Sequence, residues 1–103
     1  MWNCLEYFID QCWDELEDAE EYTQKAMAYK GTHRKWADVL YQTAMQEHSH
    51  YEAFCELAAH AVLVAKNDHD EAANYIEHRW KREHEKLAKK EAQLKTLFES
   101  YRG

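Results

Sequence analysis

Two acidic side chains and one histidine have the types and spacing to share a metal ion. Glu47 and His50 form a Glu-x-x-His pair, and residues three apart lie on the same face of an α-helix. At about 100° per residue, Glu47 falls within about 20° of the centre of its apolar stripe and His50 within about 50°. Because a buried carboxylate costs several kcal/mol unless it is paired or binds a metal, both are predicted to lie inside. They are either metal ligands or a core histidine paired with a core glutamate.

A third candidate ligand comes from the preceding helix. Glu15 lies on the edge of that helix's apolar stripe, about 70° from its centre. It stands 16 residues before Gly31, and Glu47 stands 16 residues after it. In two antiparallel helices joined at Gly31, the two carboxylates are therefore predicted to meet at one level of the protein.

The last third of the chain offers two further candidates. Glu83 falls near the centre of a third apolar stripe and His84 at its edge, so that either residue could complete the coordination of a metal. Glu83 could equally pair with a lysine or point into a dimer interface, and the sequence leaves these possibilities open.

Long helices must position these residues. The 103-residue chain has no Pro and two Gly, while it is rich in good helix formers and has five Val and Ile in total. Polar breaks at 30–32 and 67–70 predict helices near 3–30, 33–66 and 70–101, which form one all-α domain over 1–103, an antiparallel bundle. Gly31 and Thr32 are predicted to cap the first two helices, and Asp68 or Asp70 the third.

Each predicted helix carries one apolar stripe with steps of three and four residues. The first stripe contains Trp2, Leu5, Ile9, Cys12, Leu16, Ala19 and Ala26. The second contains Trp36, Leu40, Tyr51, Phe54, Leu57, Ala58 and Ala61. The third contains Ala72, Ile76, Trp80, Leu87, Leu94, Leu97, Phe98 and Tyr101. These stripes are predicted to form the core.

Charge and cysteine content narrow the functional classes. The net charge of −7 argues against a nucleic-acid partner, and no apolar run approaches the roughly 18 residues of a membrane span. The beginning of the chain lacks the features of a signal peptide. The three cysteines, Cys4, Cys12 and Cys55, fit neither a zinc pattern nor a disulfide framework. Reduced thiols and a cytoplasmic location are expected.

Two segments resemble the ferritin-like superfamily, and in particular rubrerythrins and bacterioferritins. The first is Asp14-Glu15-Leu16-Glu17-Asp18-Ala19-Glu20-Glu21-Tyr22, in which a Glu is followed by a Tyr seven positions later. The second is Ala37-Asp38-Val39-Leu40-Tyr41-Gln42-Thr43-Ala44-Met45-Gln46-Glu47-His48-Ser49-His50, which ends in the Glu-x-x-His pair. The resemblance covers about residues 10–60.

The resemblance implies a dinuclear iron or manganese site used for ferrous oxidation or for chemistry with oxygen or peroxide. Glu15 and Glu47 would bridge or terminate the metals, His50 would bind one of them, and Tyr22 or Tyr51 would be a hydrogen-bonding or redox neighbour. Those families carry a second Glu and a second Glu-x-x-His in one chain, which this chain lacks. It resembles instead the encapsulated ferritins, in which two short chains share the site, and small prophage-encoded ferritin-like proteins. A homo-oligomer is therefore expected.

The alternative is a helical structural or interaction protein that does no chemistry. In that case the buried polar residues fix the register of the helices, and Trp2, Trp36 and Tyr101 would form a partner surface.

Overall fold

The computed structural model describes residues 2–103, which form three long helices. Helix α1 is Trp2–Tyr29, α2 is Arg34–Asn67 and α3 is Ala73–Arg102, and this part of the chain contains no strand. The predicted all-α class is confirmed, and the helix ends differ from the predicted ones by three residues or fewer.

Helix α1 buries one narrow stripe along its whole length. The buried residues alternate steps of four and three, which is the heptad spacing of a helix that packs against helices. They are Leu5, Ile9, Cys12, Leu16, Ala19, Thr23 and Ala26. The stripe predicted for this helix is confirmed, and Thr23 joins it because its hydroxyl donates a hydrogen bond to the Ala19 carbonyl at 2.7 Å.

The buried face of α2 differs from the predicted one. It consists of small residues at steps of seven around Tyr51, together with two residues near the C-terminal end: Ala37, Ala44, Tyr51, Ala58, Ala61, Val62 and Ala65. Trp36 and Leu57, which were placed in the predicted stripe, are exposed. The prediction was wrong because these larger side chains moved the centre of the predicted stripe away from the alanines that contact the other helices.

Helix α3 closes the core against both other helices. Its buried residues are Ile76, Trp80, Glu83, Leu87, Leu94, Phe98 and Tyr101, which confirms most of the predicted stripe. The main core contains residues from all three helices. Helices α1 and α2 pack most extensively against each other, and α3 contacts α1 more than α2.

The connections are short, and the N-caps of α2 and α3 differ from the predicted ones. The backbone N–H groups of Thr32 and His33 bond to the Tyr29 carbonyl. The N-cap of α2 is His33, which makes no capping bond through its side chain. The N-cap of α3 is Ala72 rather than Asp68 or Asp70. The side chain of Asp70 nevertheless accepts a hydrogen bond from the backbone N–H of Ala72 at 2.8 Å.

The contacts between α1 and α2 run in opposite order along the two helices. Tyr29 meets Trp36 beside the connection, whereas Tyr7 meets Phe54 farther away. The principal extents are 56 × 19 × 14 Å. The described residues, 2–103, contain no helix long and apolar enough to cross a membrane.

Candidate metal centre

Three predicted ligands converge in the middle of the α1–α2 pair. Each of Glu15, Glu47 and His50 offers one ligand atom, and the three atoms lie within 4.8 Å of one another. His50 Nδ1 is 3.5 Å from Glu15 Oε2 and 4.0 Å from Glu47 Oε1. The two glutamates therefore meet at one level, as the equal separation from Gly31 predicted.

The cluster lies at the edge of the core rather than inside it. The side chains of Glu15 and Glu47 are 15% and 20% exposed, whereas that of His50 is 58% exposed. The prediction that His50 lies in the interior was wrong, because the buried face of α2 is centred on Ala44 and Tyr51. The cluster thus has a protected carboxylate side and an open imidazole side.

The surroundings of Glu15 disfavour the charged form of its carboxyl group. Burial and the close approach of the Glu47 carboxyl raise the pKa of the Glu15 carboxyl from 4.5 to about 7, and the neighbouring His50 opposes that rise. Its Oε2 is buried and has no hydrogen-bond partner among residues 2–103. A buried oxygen of this kind is costly unless a proton or a cation neutralises it.

Asp18 extends the negative potential along α1. Burial and the charge of Glu47, together with the charges of Asp14 and Glu21, raise the pKa of its carboxyl. The local field therefore favours any positive species that enters the cluster.

The donor set fits a divalent transition metal. Two carboxylates and one imidazole are ligands that iron and manganese accept, and an ion between the three atoms would contact the unpartnered Glu15 oxygen. Three ligands from one chain leave positions for further ligands in the octahedral coordination that these ions commonly adopt.

Glu83 lies apart from the cluster. It is buried and accepts hydrogen bonds from Trp13 Nε1 at 2.7 Å and from Arg79 Nη1 at 2.5 Å. Burial raises the pKa of its carboxyl, but these two donors and the charge of Arg79 outweigh burial and lower it overall. Its oxygens are thus occupied by protein donors. The main basic partner is Arg79 rather than the lysine that the sequence suggested, although Lys86 Nζ also lies 3.8 Å from Glu83 Oε2.

The other three candidates are also outside the cluster. His84 is exposed and stacks on Trp80, with ring centroids 4.8 Å apart. Tyr22 is partly buried against the core. Tyr51 is buried and lines a different groove from the metal cluster, together with Cys55 and His84.

A histidine missed by the sequence analysis is the more protected one. The side chain of His48 is 13% exposed, and its Nε2 lies 2.7 Å from Glu91 Oε2 on α3. Its ring also stacks near Tyr51. Its omission shares its cause with the error on His50: a stripe centred on Tyr51 places His48 nearer the buried face of α2 and His50 farther from it.

A pair of thiols was also missed. Cys12 and Cys55 are far apart in the sequence, but their Sγ atoms are 3.8 Å apart, and all three cysteines are free. Cys12 was correctly placed on the core face. The available signal was that Cys55 lies one helical turn after Tyr51, at a level of the α1–α2 pair similar to that of Cys12.

Comparison with known proteins identifies no relative. No family model matches the chain, and no curated protein and no solved structure shows significant similarity to it. The ferritin-like resemblance therefore rests on the residues and their spacing alone.

Proposed function

We propose that this protein binds iron or manganese through Glu15, Glu47 and His50, as a short ferritin-like protein would. The observation that carries the proposal is the convergence of three ligand atoms from two helices around an unpartnered, buried Glu15 oxygen. A divalent cation would replace the proton that the raised pKa of Glu15 favours near neutral pH. Free thiols support a location in the reducing cytoplasm.

Two copies would complete the centre. In this arrangement the three helices form an antiparallel bundle, and the face of the α1–α2 pair that carries the cluster meets the same face of a second chain around a twofold axis. Supporting this, a groove of about 300 Å³ is lined by α1 and α2 alone, through Cys4, Phe8, Leu57, His60, Ala61 and Val64. His50 is open to solvent, so that each cluster is accessible to its counterpart.

The bound metals would supply one-electron chemistry with oxygen or peroxide, including oxidation of ferrous ion. The residues have separate tasks in this proposal. Glu15 loses its proton as a cation is bound and then provides the protected carboxylate. Glu47 provides the second carboxylate from α2, and His50 provides a nitrogen ligand at the solvent side, where small reactants enter. Tyr22 remains the candidate redox neighbour on α1.

The test is metal content per chain after loading the reduced apoprotein with Mn²⁺ or, without oxygen, with Fe²⁺. We expect about one metal per chain, and Glu47→Ala should lower the metal affinity at least tenfold, since one of three ligands is lost. Glu56→Ala, which removes an exposed carboxylate from the same helix, should bind as the unmodified protein does.

Equal metal content in the Glu47→Ala and unmodified proteins would refute the metal site. Oxygen consumption on adding Fe²⁺ to the loaded protein then separates a ferroxidase from a protein that only holds the metal.

A second function is favoured by an exposed apolar patch near the α1–α2 connection. Tyr29, Lys35, Trp36, Val39 and Leu40 line a groove of about 490 Å³ there, and exposed apolar surface of this kind marks interaction sites. The protein would then be a non-enzymatic interaction module with a degenerate metal site. An unchanged metal-free stability in the Glu47→Leu, His50→Leu double variant, together with no metal binding by the unmodified protein, would favour this function.

A further inference from the structure

Two cysteines, one from each helix, face each other across the middle of the α1–α2 pair. The Sγ atoms of Cys12 and Cys55 are 3.8 Å apart, within the distance of a thiol–thiol hydrogen bond. Cys12 is fully buried and belongs to the main core, against which Cys55 packs as a partly buried neighbour. The pair lies between the two helices that pack most extensively on each other.

The two thiols differ in their access to solvent. Cys55 lines a groove of about 240 Å³ between α2 and α3, whereas Cys12 does not. The other residues that line this groove are Tyr51, Glu52, Glu56, His84 and Glu91. A small polar molecule can therefore reach Cys55 from solvent, whereas Cys12 is buried and does not line the groove.

The two thiols also differ in acidity. Hydrogen bonds with Cys12 and Tyr51 lower the pKa of the Cys55 thiol, and they outweigh burial and the charges of Glu91 and Glu52, which raise it. The hydrogen bond to Cys55 and burial raise the pKa of the Cys12 thiol. Both shifts favour Cys55 over Cys12 as the thiolate, which is the reactive form of a cysteine.

We propose that Cys12 and Cys55 form a peroxide-reactive dithiol that closes into a disulfide between α1 and α2. Cys55 is the attacking thiol, and Cys12 is the resolving thiol. The ligand is hydrogen peroxide or another small hydroperoxide that enters the groove on the α3 side. This activity is separate from the proposed metal site and does not depend on it.

The reaction balances in two steps. The Cys55 thiolate attacks one oxygen of hydrogen peroxide, the O–O bond breaks, and the departing hydroxide takes up a proton to leave as water, which gives Cys55 sulfenic acid. The Cys12 sulfur then attacks the Cys55 sulfur, the S–O bond breaks, and the hydroxyl group leaves with the Cys12 proton as a second water. Two thiols are oxidised to one disulfide, and one peroxide is reduced to two waters.

Disulfide closure brings the two sulfurs closer together by about 2 Å. The sulfurs must approach from 3.8 Å to about 2.0 Å, the length of a disulfide bond. A dithiol reductant reopens the bond by thiol–disulfide exchange, so that the protein can react again.

The test uses the full chain, reduced, stripped of metal and kept in chelator, so that failure of the metal proposal does not affect it. Hydrogen peroxide is added, and the free thiols are counted under denaturing conditions, with the linked peptides identified by mass spectrometry. We expect two of three thiols to disappear, and a Cys12–Cys55 cross-link to form within one chain. Cys4→Ser, which removes the exposed cysteine, should react at the same rate.

Two single variants assign the roles. In Cys12→Ser, Cys55 should accumulate as sulfenic acid that a dimedone-type reagent traps. In Cys55→Ser, Cys12 should react at least tenfold more slowly. Far-ultraviolet circular dichroism establishes that each variant is folded before it is compared.

Several results would overturn the proposal: peroxide links Cys4 rather than Cys12 to Cys55, Cys12 reacts equally fast without Cys55, or all three thiols survive an excess of peroxide. If both single variants fail to fold, the Cys4→Ser protein still tests the proposal, because the only disulfide it can form within one chain is Cys12–Cys55.

Discussion

At the scale of single residues, Glu15 combines burial with an unpartnered oxygen. Glu47 faces it, and both carboxylates belong to helices whose positions are fixed by the core. A charged Glu15 therefore destabilises the metal-free protein. The residue is tolerated there at a cost, and such cost is common where a side chain has a binding role.

The first prediction concerns the stability of the metal-free protein. Because folding raises the pKa of Glu15 from 4.5 to about 7, the folded state binds this proton more tightly than the unfolded state. The contribution of Glu15 to the free energy of unfolding therefore falls as pH rises from about 4.5 to about 7. Glu15→Gln mimics the protonated form and should stabilise the protein by about 1–3 kcal/mol at pH 8.

Urea unfolding in chelator at pH 8 and at pH 4.5 measures this effect. The gain should nearly vanish at the lower pH, since Glu15 is then protonated in much of the folded protein. Glu17→Gln, which changes an exposed carboxylate of the same helix, should be nearly neutral at both pH values. A loss of stability in Glu15→Gln at pH 8 would show that the charged carboxylate is well accommodated.

The sequence predicted the meeting of Glu15 and Glu47 because it needed only the position of the turn and a regular rise along two helices. It did not indicate that His48 is protected and His50 exposed, because both depend on how far α2 is rotated about its axis. Rotation was judged from the largest apolar residues, but small alanines determine it, since they allow close helix approach.

At the scale of the helices, α3 is attached to α1 by polar contacts above a shared apolar core. Trp13 and Arg79 both donate hydrogen bonds to Glu83, and Arg79 also donates to Glu6. Lys90 forms an ion pair with Glu20 at 2.5 Å. Glu83 is thus a structural residue that fixes where α3 lies on α1.

The second prediction is that Glu83→Ala destabilises the protein by about 1–3 kcal/mol at pH 7, because buried donors lose their acceptor. The pKa of Glu83 is lowered in the folded state. Its carboxylate therefore stabilises the protein at and above the ordinary pKa of 4.5, and this contribution is lost as pH falls through the lower folded value. Urea unfolding of both proteins at pH 7 and pH 3 measures this effect. The difference in urea midpoint between Glu83→Ala and the unmodified protein should be smaller at pH 3 than at pH 7.

Glu85→Ala is the matched control, since it removes an exposed carboxylate two residues away. An equal loss of stability in both variants at pH 7 would contradict the prediction, because alanine is the stronger helix former and Glu85 is exposed.

The existence of three helices was readily predicted, since the chain has long heptad-like patterns and almost no breaking residues. The caps were not, because they depend on local backbone geometry. His69 takes a positive φ of 54° in the second connection, a conformation that most residues adopt at a cost, and no sequence signal singled it out. The acidic residues beside it attracted the cap prediction instead.

At the scale of the whole molecule, the proposed dimer joins two acidic faces. Each chain carries a net charge of −7, and Glu15, Glu47 and Asp18 lie on or near the face that would be shared. Repulsion between these faces disfavours pairing unless cations neutralise it. Association should therefore depend on the metal as much as on apolar contact.

The third prediction tests this surface. Leu57 is 44% exposed and lines the groove of the proposed interface, so that Leu57→Glu should weaken metal-dependent dimerisation at least tenfold while leaving the monomer folded. Leu63 is 52% exposed on the same helix but lies outside this groove. Leu63→Glu should therefore dimerise normally.

Sedimentation velocity with and without Mn²⁺ provides the measurement, and circular dichroism checks the fold. Equal dimerisation of the two variants would place the interface elsewhere, and a protein that stays monomeric with metal would remove the shared centre from the proposal.

The elongated outline also determines how the molecule tumbles. The Cα radius of gyration is 16.4 Å, whereas a spherical domain of this length has about 13 Å. A rod 56 Å long and 19 × 14 Å across rotates faster about its long axis than end over end. NMR relaxation of amide groups will therefore depend on their angle to that axis. Pairing along the sides would thicken the rod and make tumbling more nearly isotropic, whereas pairing end to end would increase the anisotropy.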